Sequence, residues 1–182
     1  MSEQNLVEVY EAAIPQNKNG GVSEIIRAEI DMQVTTAKQY PRSITQFMQT
    51  AKAMVTLNES VADSCNYGLP RGGKIITGAS VRFAELIFSA WGNIRAGSRI
   101  IGNDGRFVIA QGVCHDLQSN SMITKEIKRK ITDKNGKTFN EDMITVTGNA
   151  AASIALRNAI LAVIPKAFWE GLYEESRKVE IG

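Results

Sequence analysis

The chain has 182 residues, 43% of them hydrophobic and 22% charged, with a net charge of +2; these values suit one globular domain with a real core. No apolar run approaches the roughly 20 residues needed to cross a bilayer and no apolar leader core opens the chain, so the expectation is a cytoplasmic protein with no membrane partner. A single histidine, His115, argues against a histidine-based metal site or a Ser-His-Asp triad, and Cys65 and Cys114 sit in apolar contexts without metal-ligand spacing, as reduced core thiols do.

Charge is unevenly distributed. Residues 1–33 hold six acids against two bases, a net −4, whereas residues 68–109 and 122–137 each carry a net +4. Such a basic middle suits an acidic polymer or the acidic segment of a neighbouring subunit.

In chain order, residues 1–22 contain Pro15-Gln-Asn-Lys-Asn-Gly-Gly21 and read as a mobile N-terminal arm, leaving 23–182 as one domain. Residues 23–38 mix a helix-capping Ser23 with strand-like alternation at Ile26, Ala28, Ile30, Met32 and Val34; helix is the preferred reading. Tyr40-Pro41 ends it. Ser43 with Gln46 forms a capping-box pattern opening a helix to about Leu57, and Asn58 caps a short helix from Glu59 to about Asn66. Residues 67–78 are rich in glycine and proline and read as a connection. Ser80 opens a helix from Val81 to Trp91. The period then changes to strands at Ile94–Ile101, Arg106–Leu117 and Met122–Ile131. Turns at Asn103-Asp-Gly105, Gln118–Ser121 and Asp133–Gly136 join them into an antiparallel meander. Asn140 caps a long helix through Ile164, and Pro165 restarts the chain into an amphipathic helix from Lys166 to about Lys178. The expected class is α+β: a three-stranded antiparallel meander packed with a long helix and preceded by short helices.

Three features bear on chemistry. On the long helix, Thr145, Asn149, Ser153 and Arg157 recur every fourth residue, so they share a face and span about 18 Å. Two readings are open: a solvated face, or a strip that holds a nucleic-acid backbone, since these side chains are phosphate-contacting types. Gly68-Leu-Pro-Arg-Gly-Gly73-Lys74 has the spacing of a phosphate-binding loop, but Ile75 stands where magnesium binding needs Ser or Thr. A flexible basic loop offering Arg71 and Lys74 to phosphates is the better reading, beside a plain solubilising turn. On the third strand, Lys128 and Lys130 share a face and Arg129 opposes them; a charged edge that blocks aggregation and a DNA-binding strand explain this equally. Tyr67, Trp91 and Phe107 are candidates to stack on bases, though such aromatics usually belong to a core. No catalytic, metal or cofactor constellation is found, and the expectation is a non-enzyme.

The order of parts resembles the phage single-strand annealing proteins, the superfamily of Erf-like and RecT/Redβ-like recombinases that shares its annealing core with the eukaryotic recombination mediator. The likeness is carried by Gly78-Ala-Ser-Val-Arg-Phe-Ala-Glu-Leu-Ile-Phe-Ser-Ala-Trp91-Gly92, by the hairpin from Arg99 to Ile131, and by Ala151-Ala-Ser-Ile-Ala-Leu-Arg157-Asn-Ala-Ile-Leu-Ala-Val-Ile164. It covers about residues 67–165. It departs at Arg157, which is followed by Asn158 where the family often has a basic pair. The resemblance implies ATP-independent binding and annealing of single-stranded DNA by a homo-oligomeric ring or filament in a bacterial host, with a phage exonuclease or host single-strand-binding protein as a partner. It also implies a groove between long helix and meander, with Arg71, Lys74, Arg99, Lys128, Lys130, Asn149, Ser153 and Arg157 on DNA. The alternatives are an oligomeric scaffold or inhibitor, and a nucleic-acid enzyme with an unrecognised site.

Overall fold

The computed structural model describes residues 20–181. The expected arm lies outside these residues except for Gly20–Val22, which are the first turn of a helix. That helix, α1 (Gly20–Gln39), resolves the ambiguous 23–38 segment as helical and ends before Pro41. It is followed by α2 (Ile44–Val55) and α3 (Glu59–Ser64). Their caps are those read from the sequence: Ser43 accepts from the Gln46 N–H and Asn58 from the Val61 N–H.

Residues 67–78 are not a loop. They form most of a hairpin of β1 (Asn66–Arg71) and β2 (Lys74–Ala79), paired from Asn66 opposite Ala79 to Arg71 opposite Lys74. Gly72 and Gly73 make the two-residue turn, with φ of 56° and 75°. Positive φ at both centres is what the mirror-image hairpin turn requires, and only glycine adopts it freely.

Helix α4 (Val81–Trp91) then leads to the meander of β3 (Ile94–Asn103), β4 (Phe107–Asp116) and β5 (Ser121–Lys130), in spatial order β3-β4-β5. Helix α5 (Glu141–Val163) crosses one face of this sheet and α6 (Lys166–Ile181) follows it. The architecture is α+β.

Two apolar clusters position these parts. Under the sheet, Val108 and Ala110 of β4 meet Ile131, Ala151 and Ala155. The helix side of this contact is a seam of small residues, Gly148, Ala151, Ala155 and Ala159, all buried. Helix and strand approach so closely at Gly112 that a Cβ there would collide with the Ala155 carbonyl. The second cluster joins α2, α4, α5 and α6 through Phe47, Val55, Phe83, Ile87, Trp91, Ile160, Ile164 and Leu172. Phe47 meets Trp91 edge-on at 4.8 Å and Phe83 meets Tyr173 at 5.4 Å, the geometry the aromatic quadrupole favours. By length and composition α5 would suffice to cross a membrane, contrary to the reading of its apolar run. In the fold its small-residue seam is covered by the sheet.

A polar clasp fastens the start of the domain to the end of the sheet. Arg42 Nη1 lies 2.7 Å from Asp116 Oδ2, with only 10% and 5% of the two side chains exposed. Trp91 Nε1 donates to the same oxygen at 2.8 Å, and the backbone N–H groups of Gln118 and Ser119 donate to the other. Arg42 also donates to the Trp91 and Gly92 carbonyls at the end of α4 and stacks on the Trp91 ring at 4.3 Å. Burial pushes the Asp116 carboxyl up, but the bonds from Arg42, Trp91 and Ser119 outweigh it and hold the group below the usual carboxylate range.

Candidate nucleic-acid interface

Helix α5 carries the polar row. Gly148 and Ala155 face the sheet, where they meet Val108 and Gly112, so the fourfold-spaced row lies off that seam. Thr145, Asn149 and Ser153 are exposed and Arg157 is half-buried. The row therefore forms one continuous polar strip ending at a cation.

Arg157 is held in place. Its Nε and Nη2 both donate to Asn158 Oδ1 at 3.1 Å, and its guanidinium lies 4.8 Å from the centroid of the Tyr67 ring. Asn158 thus orients Arg157. Among the described residues no carboxylate pairs with Arg157; Glu85 bonds to Arg82 at 2.7 Å instead. Gly78 stands opposite Tyr67 across the hairpin, and a Cβ on it would come within 2.7 Å of the tyrosine ring. A glycine there is what lets Tyr67 lie flat across β2 beneath the guanidinium.

Arg157 and Tyr67 open onto a cleft of about 340 Å³ shared with Lys166, Trp169, Glu170 and Glu174. Lys166 pairs with Glu170 at 2.8 Å. The local charges largely cancel, leaving Arg157 as a cation outside any ion pair and Glu174 as the nearby acid. Directly opposed residues share a face, so Tyr67 stands on the same hairpin face as Leu69, Ile76, Arg71 and Lys74. Arg71 and Lys74 sit at the tip, about 13 Å beyond Tyr67 at the rise of a strand.

Arg99, Lys128 and Lys130 do not join this strip. Val108, Ala110, Gly112 and Cys114 alternate along the α5 side of β4 and are buried. Arg99 is opposite Gln111, Lys128 opposite Ile109 and Lys130 opposite Phe107, so all three stand on the other face. The single groove expected between helix and meander is therefore two surfaces separated by the sheet. On the far surface Arg99 Nη2 donates to Gln111 Oε1 at 2.8 Å, the Lys128 ammonium lies 4.3 Å above the Phe107 ring, and Lys130 reaches the Asp133 carbonyl at 3.3 Å. Sequence spacing signalled the shared face of Lys128 and Lys130 but not the side on which α5 packs.

Among the three aromatics named for base stacking, Trp91 is 4% exposed and committed to the core and to Asp116. Tyr67 and Phe107 are half-buried, each beneath a cation. His115 is buried with Nε2 3.0 Å from Asn120 Oδ1, and burial pushes its pKa down. Among the described residues no cluster of three or more His, Cys, Asp or Glu could hold a metal ion. No protein-family model, curated protein or solved structure matches the chain.

Proposed function

We propose that the protein binds single-stranded DNA and anneals complementary strands without ATP, acting as a homo-oligomeric ring or filament. The observation that carries this reading is the polar strip of α5, which ends at an arginine stacked on Tyr67 and, among the described residues, outside any ion pair. Hydroxyl, amide and guanidinium groups in a line suit successive backbone phosphates. A guanidinium held over a ring at the strip's end is fixed in place to meet a phosphate. A backbone fixed along the strip would leave bases turned outward for pairing. Arg99, Lys128 and Lys130 would draw nucleic acid to the far face as a weaker, diffuse surface.

Fluorescence anisotropy with labelled oligothymidylate tests the reading. Counterion release predicts affinity that falls steeply and log-linearly with salt, with mixed-sequence oligonucleotides bound about equally well. Affinity flat between low and moderate salt, or no acceleration of annealing of complementary oligonucleotides, would overturn it. An oligomeric protein-interaction scaffold is the second reading; the exposed Leu69, Ile75 and Ile76 of the hairpin favour it.

A further inference from the structure

The β1–β2 hairpin leaves the body with every residue from 68 to 77 exposed. Leu69 opposes Ile76 on one face and Pro70 opposes Ile75 on the other. Ile75 is 71% exposed and Leu69 52%. A two-stranded ribbon is marginal in water without a packed face, and here both faces present apolar side chains. The tip adds Arg71 and Lys74, and residues 66–79 contain no acid.

The same chain carries a helix whose acids outnumber its bases, with Glu24, Glu29 and Asp31 against Arg27 and Lys38. On α1, Val22, Ile25, Glu29 and Met32 recur at helical spacing and share a face. Ile25 and Met32 are 60% and 64% exposed, and Glu24 and Asp31 are exposed beside them. This strip runs into an open cavity of about 460 Å³ whose apolar lining includes Met32, Phe88, Ile94 and Leu117, with Arg95 also at its wall, where it donates to Gln33 at 3.3 Å. Among the described residues β3, which supplies Ile94 and Ala96, pairs only with β4. Among the described residues the other edge of β3 has no strand beside it, and such an edge is a place where another strand can add.

We propose that the hairpin of one copy docks on α1 and the α1–β3 cavity of a second copy. Arg71 and Lys74 meet the acids of α1, while the hairpin's apolar side chains cover Ile25, Met32 and the cavity. The proposal gives the oligomeric half of the functional reading its interface and rests on it to that extent. The occupant is a second copy because every chain carries both the basic apolar ribbon and the acidic apolar helix, and within one chain neither covers the other. Such a contact is head-to-tail, and repetition closes a ring or extends a filament. It assigns Arg71 and Lys74 to protein contact and leaves the row ending at Arg157 to DNA.

A charge exchange followed by light scattering on the full chain is the test. One variant carries Arg71→Glu and Lys74→Glu; a second carries Glu24→Lys, Glu29→Lys and Asp31→Lys. Each alone is expected to fall to the mass of a single chain that keeps the wild-type circular dichroism spectrum, because the substituted side chains are exposed, while the midpoint falls by whatever assembly contributed. Mixing the two restores the large particle, since acidic hairpins then meet basic helices and the remaining ends keep the native pairing. Ile75→Asp is expected to lose assembly irrespective of the mixture. A monomeric wild-type protein, variants that assemble like wild type, or a mixture that stays monomeric overturns the interface. Oligothymidylate binding is read in parallel. An assembled wild-type protein that ignores DNA overturns the DNA half of the functional reading and leaves the interface standing; a monomeric wild-type protein that binds DNA overturns the interface and the oligomeric half of that reading and leaves the DNA half standing.

Discussion

Arg157 and Asp116 show how differently a half-buried and a buried charge are used. Arg157 has a ring beneath it and an amide beside it but, among the described residues, no carboxylate paired with it, so its charge remains available. Arg157→Ala is expected to keep the thermal midpoint, weaken single-strand binding about uniformly across sequences and lower the salt slope by about one. Glu174→Gln, which removes the acid of the same cleft, is expected to strengthen binding. Anisotropy titrations at several salt concentrations check both, and an Arg157→Ala protein with undiminished affinity would refute the strip. Asp116 is used for structure. Removing one member of a buried ion pair costs on the order of 3–5 kcal/mol, and Asp116→Asn should lose about that much. Because the folded pKa lies below the ordinary value of about 3.9, the contribution is complete above that pH and is lost as pH falls through the depressed folded value. Thermal midpoints of wild type and Asp116→Asn should therefore converge only in acid; a gap independent of pH down to strongly acidic conditions would count against the clasp. The polar row was legible because it obeys a local period. The clasp was not, because Arg42 and Asp116 are far apart in sequence and each occupies an unremarkable turn or strand end.

At the level of elements, the contact of α5 with β4 depends on small residues rather than on large apolar ones. Gly112→Ala would press a methyl group into the Ala155 carbonyl, where neither backbone can yield cheaply. Overpacking of this kind costs typically about 1–3 kcal/mol and occasionally more; chemical denaturation should show at least that loss, and a variant of wild-type stability would show that helix and strand separate more easily than their packing implies. Helix ends were legible wherever a side chain performs the capping, as at Ser43, Asn58, Ser80 and Asn140. The meander was legible from its alternation and turns. The β1–β2 hairpin was missed because its exposed apolar residues do not alternate with polar ones and Pro70 argues against a strand. The available signal was Gly72-Gly73 between two short runs, a two-residue hairpin turn that the phosphate-loop spacing obscured. The side of the sheet covered by α5 was not legible, because β5 alternates charged with apolar residues on one face and carries its paired lysines on the other.

For the whole molecule, the two cysteines serve as reporters of opening. Burial pushes the Cys65 thiol up to about 11, with a bond from Ser176 opposing it, and pushes Cys114 up to about 12, aided by the Asp116 charge. Both are free and buried in the same apolar cluster, Cys65 after α3 and Cys114 on β4. At pH 8 a thiol reagent should leave both untouched in the native protein over minutes and titrate two per chain in denaturant; rapid stoichiometric labelling of the native chain would show that the cluster opens readily.

The close seating of α5 also bears on the thermodynamics of a ligand. Glycine and alanine along the seam bring little side-chain conformational freedom to be lost, and the close approach at Gly112 and Ala155 restrains sliding and axial rotation. Asn149, Ser153 and Arg157 are therefore carried on a backbone whose orientation is set before anything binds. A flexible polymer laid along them would meet an already ordered array, so most of the entropy lost on association would come from the polymer and little from the protein.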